Sequence, residues 1–120
     1  MSEKKYTWHK IADTINELQL QENNLSEIEV GGKKICIGKN GSVFFACINK
    51  CPHASGRLSD GFVDAQGNIV CTLHRYRFNP NTGRNISGEG YYLKTYLIKE
   101  KEDGIYIGIE ENKSFFGWLG

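Results

Sequence analysis

Only two prolines, one methionine, three histidines and four cysteines occur among the 120 residues. Both prolines, Pro52 and Pro80, sit in the middle of the chain, so the flanking halves are free of the residue that most disrupts strand ladders. No apolar run approaches the roughly 18 residues of a spanning helix, which argues against a membrane protein. The opening Met1-Ser2-Glu3-Lys4-Lys5-Tyr6 has no apolar stretch of the kind a secretion signal needs, so the expected compartment is cytoplasmic. The four Asn-x-Ser/Thr sequons, Asn85-Ile86-Ser87 among them, then carry no meaning. Charge of one sign is also lacking. Fifteen Lys and Arg against fourteen Asp and Glu leave +1, which disfavours a nucleic-acid binder and an acidic disordered tail alike. There is no internal repeat, low-complexity tract or interdomain linker. At this length, residues 1–120 make one domain with one core. Four cysteines in a reducing compartment point to metal or redox chemistry before disulfides.

What is present is the punctuation of a small all-β protein. Glu27–Val30 and Lys33–Ile37 flank Gly31-Gly32, a two-residue hairpin signal. Lys39-Asn40-Gly41 is a turn leading into the strand-like run Ser42–Ile48. Later, Tyr96–Lys101 and Gly104–Ile109 bracket a corner at Glu102-Asp103-Gly104. There Ile105, Ile107 and Ile109 alternate with Tyr106, Gly108 and Glu110, as in a strand with one buried face. Short strands at regular spacing predict an antiparallel sandwich or barrel. Ile11, Ile15 and Leu18 suit a helical turn around Asp13 to Gln19, so the expectation allows at most one short helix.

The irregular middle, about residues 49–90, carries the chemistry. Cys51-Pro52-His53 and Cys71-Thr72-Leu73-His74 are two ligand-like pairs, with seventeen residues between His53 and Cys71. Two thiolates and two imidazoles can hold a tetrahedral zinc, or an iron–sulfur cluster in which histidine replaces cysteine on one iron. The spacing departs from the zinc-finger pattern, which leaves a structural zinc module as the lesser reading. His9, between Trp8 and Lys10, reads as a surface or strand-edge residue. Cys36 and Cys47, in apolar strand-like runs, read as buried inert thiols.

The longer strings, Cys51-Pro52-His53-Ala54-Ser55-Gly56-Arg57-Leu58-Ser59-Asp60-Gly61 and Cys71-Thr72-Leu73-His74-Arg75-Tyr76-Arg77-Phe78-Asn79-Pro80-Asn81-Thr82-Gly83, resemble the two cluster-binding boxes of Rieske iron–sulfur proteins. With an opening Trp8 strand, a hairpin into Val43–Asn49 and a closing strand pair, nearly the whole chain resembles the small Rieske-type ferredoxins. The resemblance implies a Rieske-like antiparallel β sandwich or barrel with a loop-built cluster-binding subdomain at about 49–90. It also implies one 2Fe–2S cluster, with Cys51 and Cys71 on one iron and His53 and His74 on the other. Two thiolates cancel the +2 of a diferric two-sulfide core, whereas four would leave −2. Rieske centres accordingly sit at roughly −150 to +300 mV against about −400 mV for plant-type ferredoxins. The far ring nitrogens of both histidines are expected to face solvent, as an electron exit and a docking donor.

Departures from the family pattern matter as much. The extra cysteine that respiratory and photosynthetic Rieske proteins carry in each box, joined across the cluster, is replaced here by Gly56 and Leu73. The Ser and Tyr hydroxyls that those proteins aim at the cluster fall at Tyr76 and Phe78. Fewer donors leave the sulfurs electron-rich, which places the potential low in the Rieske range.

All four arginines, Arg57, Arg75, Arg77 and Arg84, fall in this middle region. Residues 50–84 carry an excess of +3, and the rest of the chain about −2. Arg57 and Arg75 are the docking candidates for an acidic redox partner, while Arg77 or Arg84 would, on the structural alternative, tie a loop to backbone carbonyls or a carboxylate.

The expected function is a one-electron carrier and not an enzyme, passing electrons from a reductase to an oxygenase or other terminal redox enzyme. The alternative is a Rieske-like small subunit of a larger oxidoreductase, of the nitrite reductase type. A self-contained oxygenase is excluded, because only His9 is left for a catalytic iron. Gly38-Lys39-Asn40-Gly41 leads into a strand, not a helix, so it is no dinucleotide loop. The aromatic tail Ser114–Gly120 is expected to fold back onto the sandwich, with a self-association or partner patch as the alternative.

Overall fold

The computed structural model describes residues 5–52 and 56–111. His53 and the aromatic C-terminal tail lie outside them. Nine strands run in order: β1 (Tyr6–Ala12), β2 (Leu25–Val30), β3 (Lys33–Asn40), β4 (Val43–Ile48), β5 (Phe62–Val63), β6 (Ile69–Val70), β7 (Arg77–Phe78), β8 (Thr95–Lys101) and β9 (Gly104–Glu110). They form a six-stranded antiparallel sheet, β1-β9-β8-β4-β3-β2, and a three-stranded sheet, β5-β6-β7. The all-β expectation holds. Among the described residues no helix is long and apolar enough to cross a membrane.

The Gly31-Gly32 hairpin forms as the sequence implies. Both glycines have positive φ (58° and 79°), the requirement of a two-residue turn whose twist matches its strands. The second turn is tighter than expected. Asn40 pairs with Val43, so β3 runs through Lys39 and Asn40 and leaves only Gly41 and Ser42 in the loop. The helical signal around residues 13–19 resolves into a single 3₁₀ turn, Ile15–Leu18, which buries Leu18 and leaves Ile15 exposed. A second 3₁₀ turn, Leu58–Asp60, is one more than the sequence suggested, and it buries Leu58 and Ser59.

The large sheet curls on itself. Only Ala46–Tyr96 and Cys47–Thr95 pair β4 with β8, and a Cβ placed on Gly31 in the β2–β3 turn would meet His9 of β1 and Ile109 of β9 at van der Waals distance. His9 therefore sits on an edge strand of the large sheet, as expected. Two cores result. Ile35, Ile37, Ala46, Ile105 and Ile107 fill the inside of the curl, with Leu18 and Val30. Cys36, Phe45 and Cys47, on the other face of β3 and β4, join Leu25, Leu58, Ile69, Phe78 and Leu93 in a second core under the small sheet. Each large aliphatic side chain so buried contributes about 1.5–3 kcal/mol.

Cys36 and Cys47 face each other in register in this second core, both buried and unbridged. The hydrogen bond with Cys36, together with burial, pushes the Cys47 thiol well above its ordinary range. A thiol held protonated and dry is unreactive, which agrees with a packing role. Gly38 is spent on close approach, since a Cβ there would lie 2.3 Å from the Phe45 ring and 2.6 Å from Leu25. Gly38→Ala is expected to destabilise the fold by about 1–3 kcal/mol through overpacking, read as a lower urea midpoint at unchanged slope.

Candidate metal centre

Two loops of equal reach carry the sequence-predicted ligands. The N–H of Cys51 donates to the carbonyl of Gly56 (2.8 Å), and the N–H of Cys71 donates to the carbonyl of Tyr76 (3.0 Å). Each bond closes a loop over five positions, with the cysteine at its root. The first loop follows β4. The second joins β6 to β7, whose Val70–Arg77 pair clamps its base. Closing that second loop puts Arg75 in the left-handed region (φ 60°), a costly conformation for a residue other than glycine.

Both cysteines are buried in the second core, and neither is joined in a disulfide. His74 is exposed on the second loop. Its ring lies 6.0 Å from Tyr76, which in turn lies 5.8 Å from Tyr91. The loops touch where the sequence suggested a missing disulfide. A Cβ on Gly56 would come 2.6 Å from Leu73 Cδ1 and 3.7 Å from Cys71 Sγ. Leu73 thus occupies the space that a side chain at Gly56 would need. Phe78 is fully buried and offers no hydroxyl. Burial, with Tyr91, Glu89 and Cys51 nearby, raises the Tyr76 phenol above its ordinary range.

The chemistry of this donor set is of the kind a two-iron cluster takes: two buried cysteines on adjoining loops, with an exposed imidazole on the second loop. Cys51, Cys71 and His74 do not close into a three-donor group among the described residues.

Asn49, which the sequence reading did not single out, anchors the first loop. Its amide nitrogen donates to Glu27 (2.7 Å) and Ser59 Oγ (2.9 Å), and its oxygen accepts from the Ser59 N–H (2.8 Å). Gln21 and Asn23 donate to the Ser59 carbonyl, and Asn23 also to that of Gly61. A polar side chain buried two residues before a cysteine is invisible to hydrophobic patterning; only its place at the strand-to-loop junction hinted at the role. Arg57, expected as a docking residue, is instead bound to Asp60 through two nitrogens and approaches Glu27 at 3.8 Å. Arg77 lies 3.9 Å from Asp64, whereas Arg75 and Arg84 form no ion pair among the described residues. Asn49→Ala strands a buried N–H and is expected to cost about 1–3 kcal/mol. Urea unfolding would read this, with faster bleaching of any bound chromophore.

The family model for the Rieske [2Fe-2S] domain matches residues 7–96. The ferredoxin component of a naphthalene 1,2-dioxygenase system from Pseudomonas aeruginosa is 29% identical over 101 residues, covering 83% of this chain and 96% of that one. The corresponding component from Pseudomonas putida is 32% identical over 79 residues, 65% of this chain and 75% of that one. One chain of a solved complex of reduced oxygenase and oxidised ferredoxin in carbazole 1,9a-dioxygenase superposes with a TM-score of 0.69 at 26% identity, covering 83% of this chain and 91% of that one. With three quarters of its length matched, both cysteine–histidine boxes included, the chain belongs to the Rieske [2Fe-2S] domain family, which implies a Rieske-type 2Fe–2S cluster as its cofactor.

Proposed function

We propose that the chain is a one-electron carrier passing electrons from a reductase to a terminal oxygenase or other redox enzyme. The observation that carries this reading is the pairing of the two closed loops, with their thiols buried and His74 left at the surface. The names of the relatives support it, since they are ferredoxin components of dioxygenase systems and this chain spans nearly all of the first one. A nitrite reductase small-subunit structure shares the fold at 18% identity, which supports the architecture but not that role.

Cys51 and Cys71 would hold one iron and His53 and His74 the other, so that the four donors serve two metal ions set apart. When bound, such a cluster supplies a single reversible electron at a potential above that of all-cysteine ferredoxins. The protein's part is to exclude water from the thiol side and to bring the histidine edge to the surface. Phe78, and the Leu73–Gly56 contact in place of a disulfide, favour the lower part of the Rieske range. On this reading residues 1–120 form a single Rieske domain with a cluster-binding subdomain at about 49–90, acting in the cytoplasm. The partners are redox proteins with an acidic docking surface, met through small and transient interfaces.

Analysis of iron, acid-labile sulfide and zinc tests this reading, with absorption spectra before and after dithionite. Two irons and two sulfides per chain, with colour that bleaches on reduction, are expected. One zinc in a colourless protein would overturn the carrier reading. His74→Cys should then lower the midpoint potential, because a thiolate adds negative charge to the site; an unchanged potential would remove His74 from the ligand set.

A further inference from the structure

Beside the second loop lies a hollow of about 360 Å³ lined by Phe62, Asp64, Val70, Arg75 and Arg77. Phe62, on β5, is exposed in spite of its size. Arg75 follows His74 directly and pays for a left-handed backbone, the kind of local strain that gathers at binding sites. Asp64 Oδ1 accepts the N–H groups of Gln66 and Asn68, while its Oδ2 is buried without a hydrogen-bond partner and faces Arg77 at 3.9 Å. Two guanidiniums against this one carboxylate leave the hollow net positive over an apolar floor. On the other loop the corresponding guanidinium, Arg57, is already answered by Asp60 and Glu27.

We propose that this hollow seats an acidic side chain of the redox partner, so that docking is one-sided, on the Arg75 and Arg77 flank of the His74 loop. The proposal rests on the carrier reading and adds to it the place and the chemistry of contact. A carboxylate on an apolar stem matches both walls: the charge meets the guanidiniums, and the stem covers Phe62 and Val70. Desolvation by that apolar floor makes the contact stronger than an ion pair at the open Arg57 corner.

Ferricyanide, a compact trianion, is the probe. The reduced holoprotein gives up one electron and ferricyanide becomes ferrocyanide, a reaction followed by stopped flow for the wild type, Arg75→Gln, Arg75→Lys and Arg57→Gln, with each midpoint potential measured. At about 10 mM salt, Arg75→Gln is expected to slow oxidation by about three- to fivefold, an effect shrinking toward 0.5 M salt. Arg75→Lys should keep most of the rate, and Arg57→Gln should change it by less than about twofold. Equal losses in Arg57→Gln and Arg75→Gln, or a loss that persists at high salt, would overturn the one-sided seat while leaving the carrier reading intact. A wild type without reducible colour would instead overturn the carrier reading itself.

Discussion

Two cysteines twenty residues apart, Cys51 and Cys71, are buried in one core, and the packing of the small sheet on the large one is organised around them. Cysteines 51 and 71 would be poor ligands on open loops, because each would lose its geometry to backbone entropy before meeting a metal. The chain counters that loss with one device used twice: a backbone hydrogen bond from the cysteine to the residue five positions on. Around these rings lies the same apolar packing, Leu58, Ile69, Phe78 and Leu93, that joins the small sheet to the large one. Burial of the thiols and docking of the two sheets are one event.

The polar side chains around the first loop do a different job from the apolar ones. Asn49, Ser59, Gln21 and Asn23 fix where the loop leaves β4, because each satisfies a backbone or side-chain group that would otherwise be buried without a partner. The apolar residues set how tightly the loop is pressed down. Arg57, tied to Asp60 and Glu27, belongs with the first group. The basic excess read from composition is accordingly uneven: part of it is absorbed into the framework, and part stands exposed at Arg75.

Much of this was legible in the sequence, because strands and ligand pairs leave periodic or spaced signals. The alternation of Ile105, Ile107 and Ile109, the Gly31-Gly32 turn and the two Cys/His pairs placed the β9 face, the first hairpin and the cluster loops. What was not legible has physical reasons. The small sheet has strands of two residues, too short for any period to show. The spacing of Ile11, Ile15 and Leu18 mimicked a helix, yet Ile11 packs from strand β1 and Ile15 is exposed, so only a single 3₁₀ turn forms, burying Leu18. The role of Asn49 depends on Glu27 and Ser59 arriving from elsewhere, which spacing along the chain cannot reveal. Composition gave the sum of the arginine charges but not which of them had neighbours.

The β3–β4 hairpin is apolar on both faces, with Ile35, Ile37 and Ala46 turned to one core and Cys36, Phe45 and Cys47 to the other. A hairpin shared in this way makes the two halves of the molecule unequal partners in unfolding. The inner core is complete without the loops, since its remaining members come from β1, β2, β9 and the first 3₁₀ turn. The outer core depends on them. Opening of the loop-bearing sheet would thus strip the outer core while leaving the inner one packed, whereas opening of the β3–β4 hairpin would disrupt both.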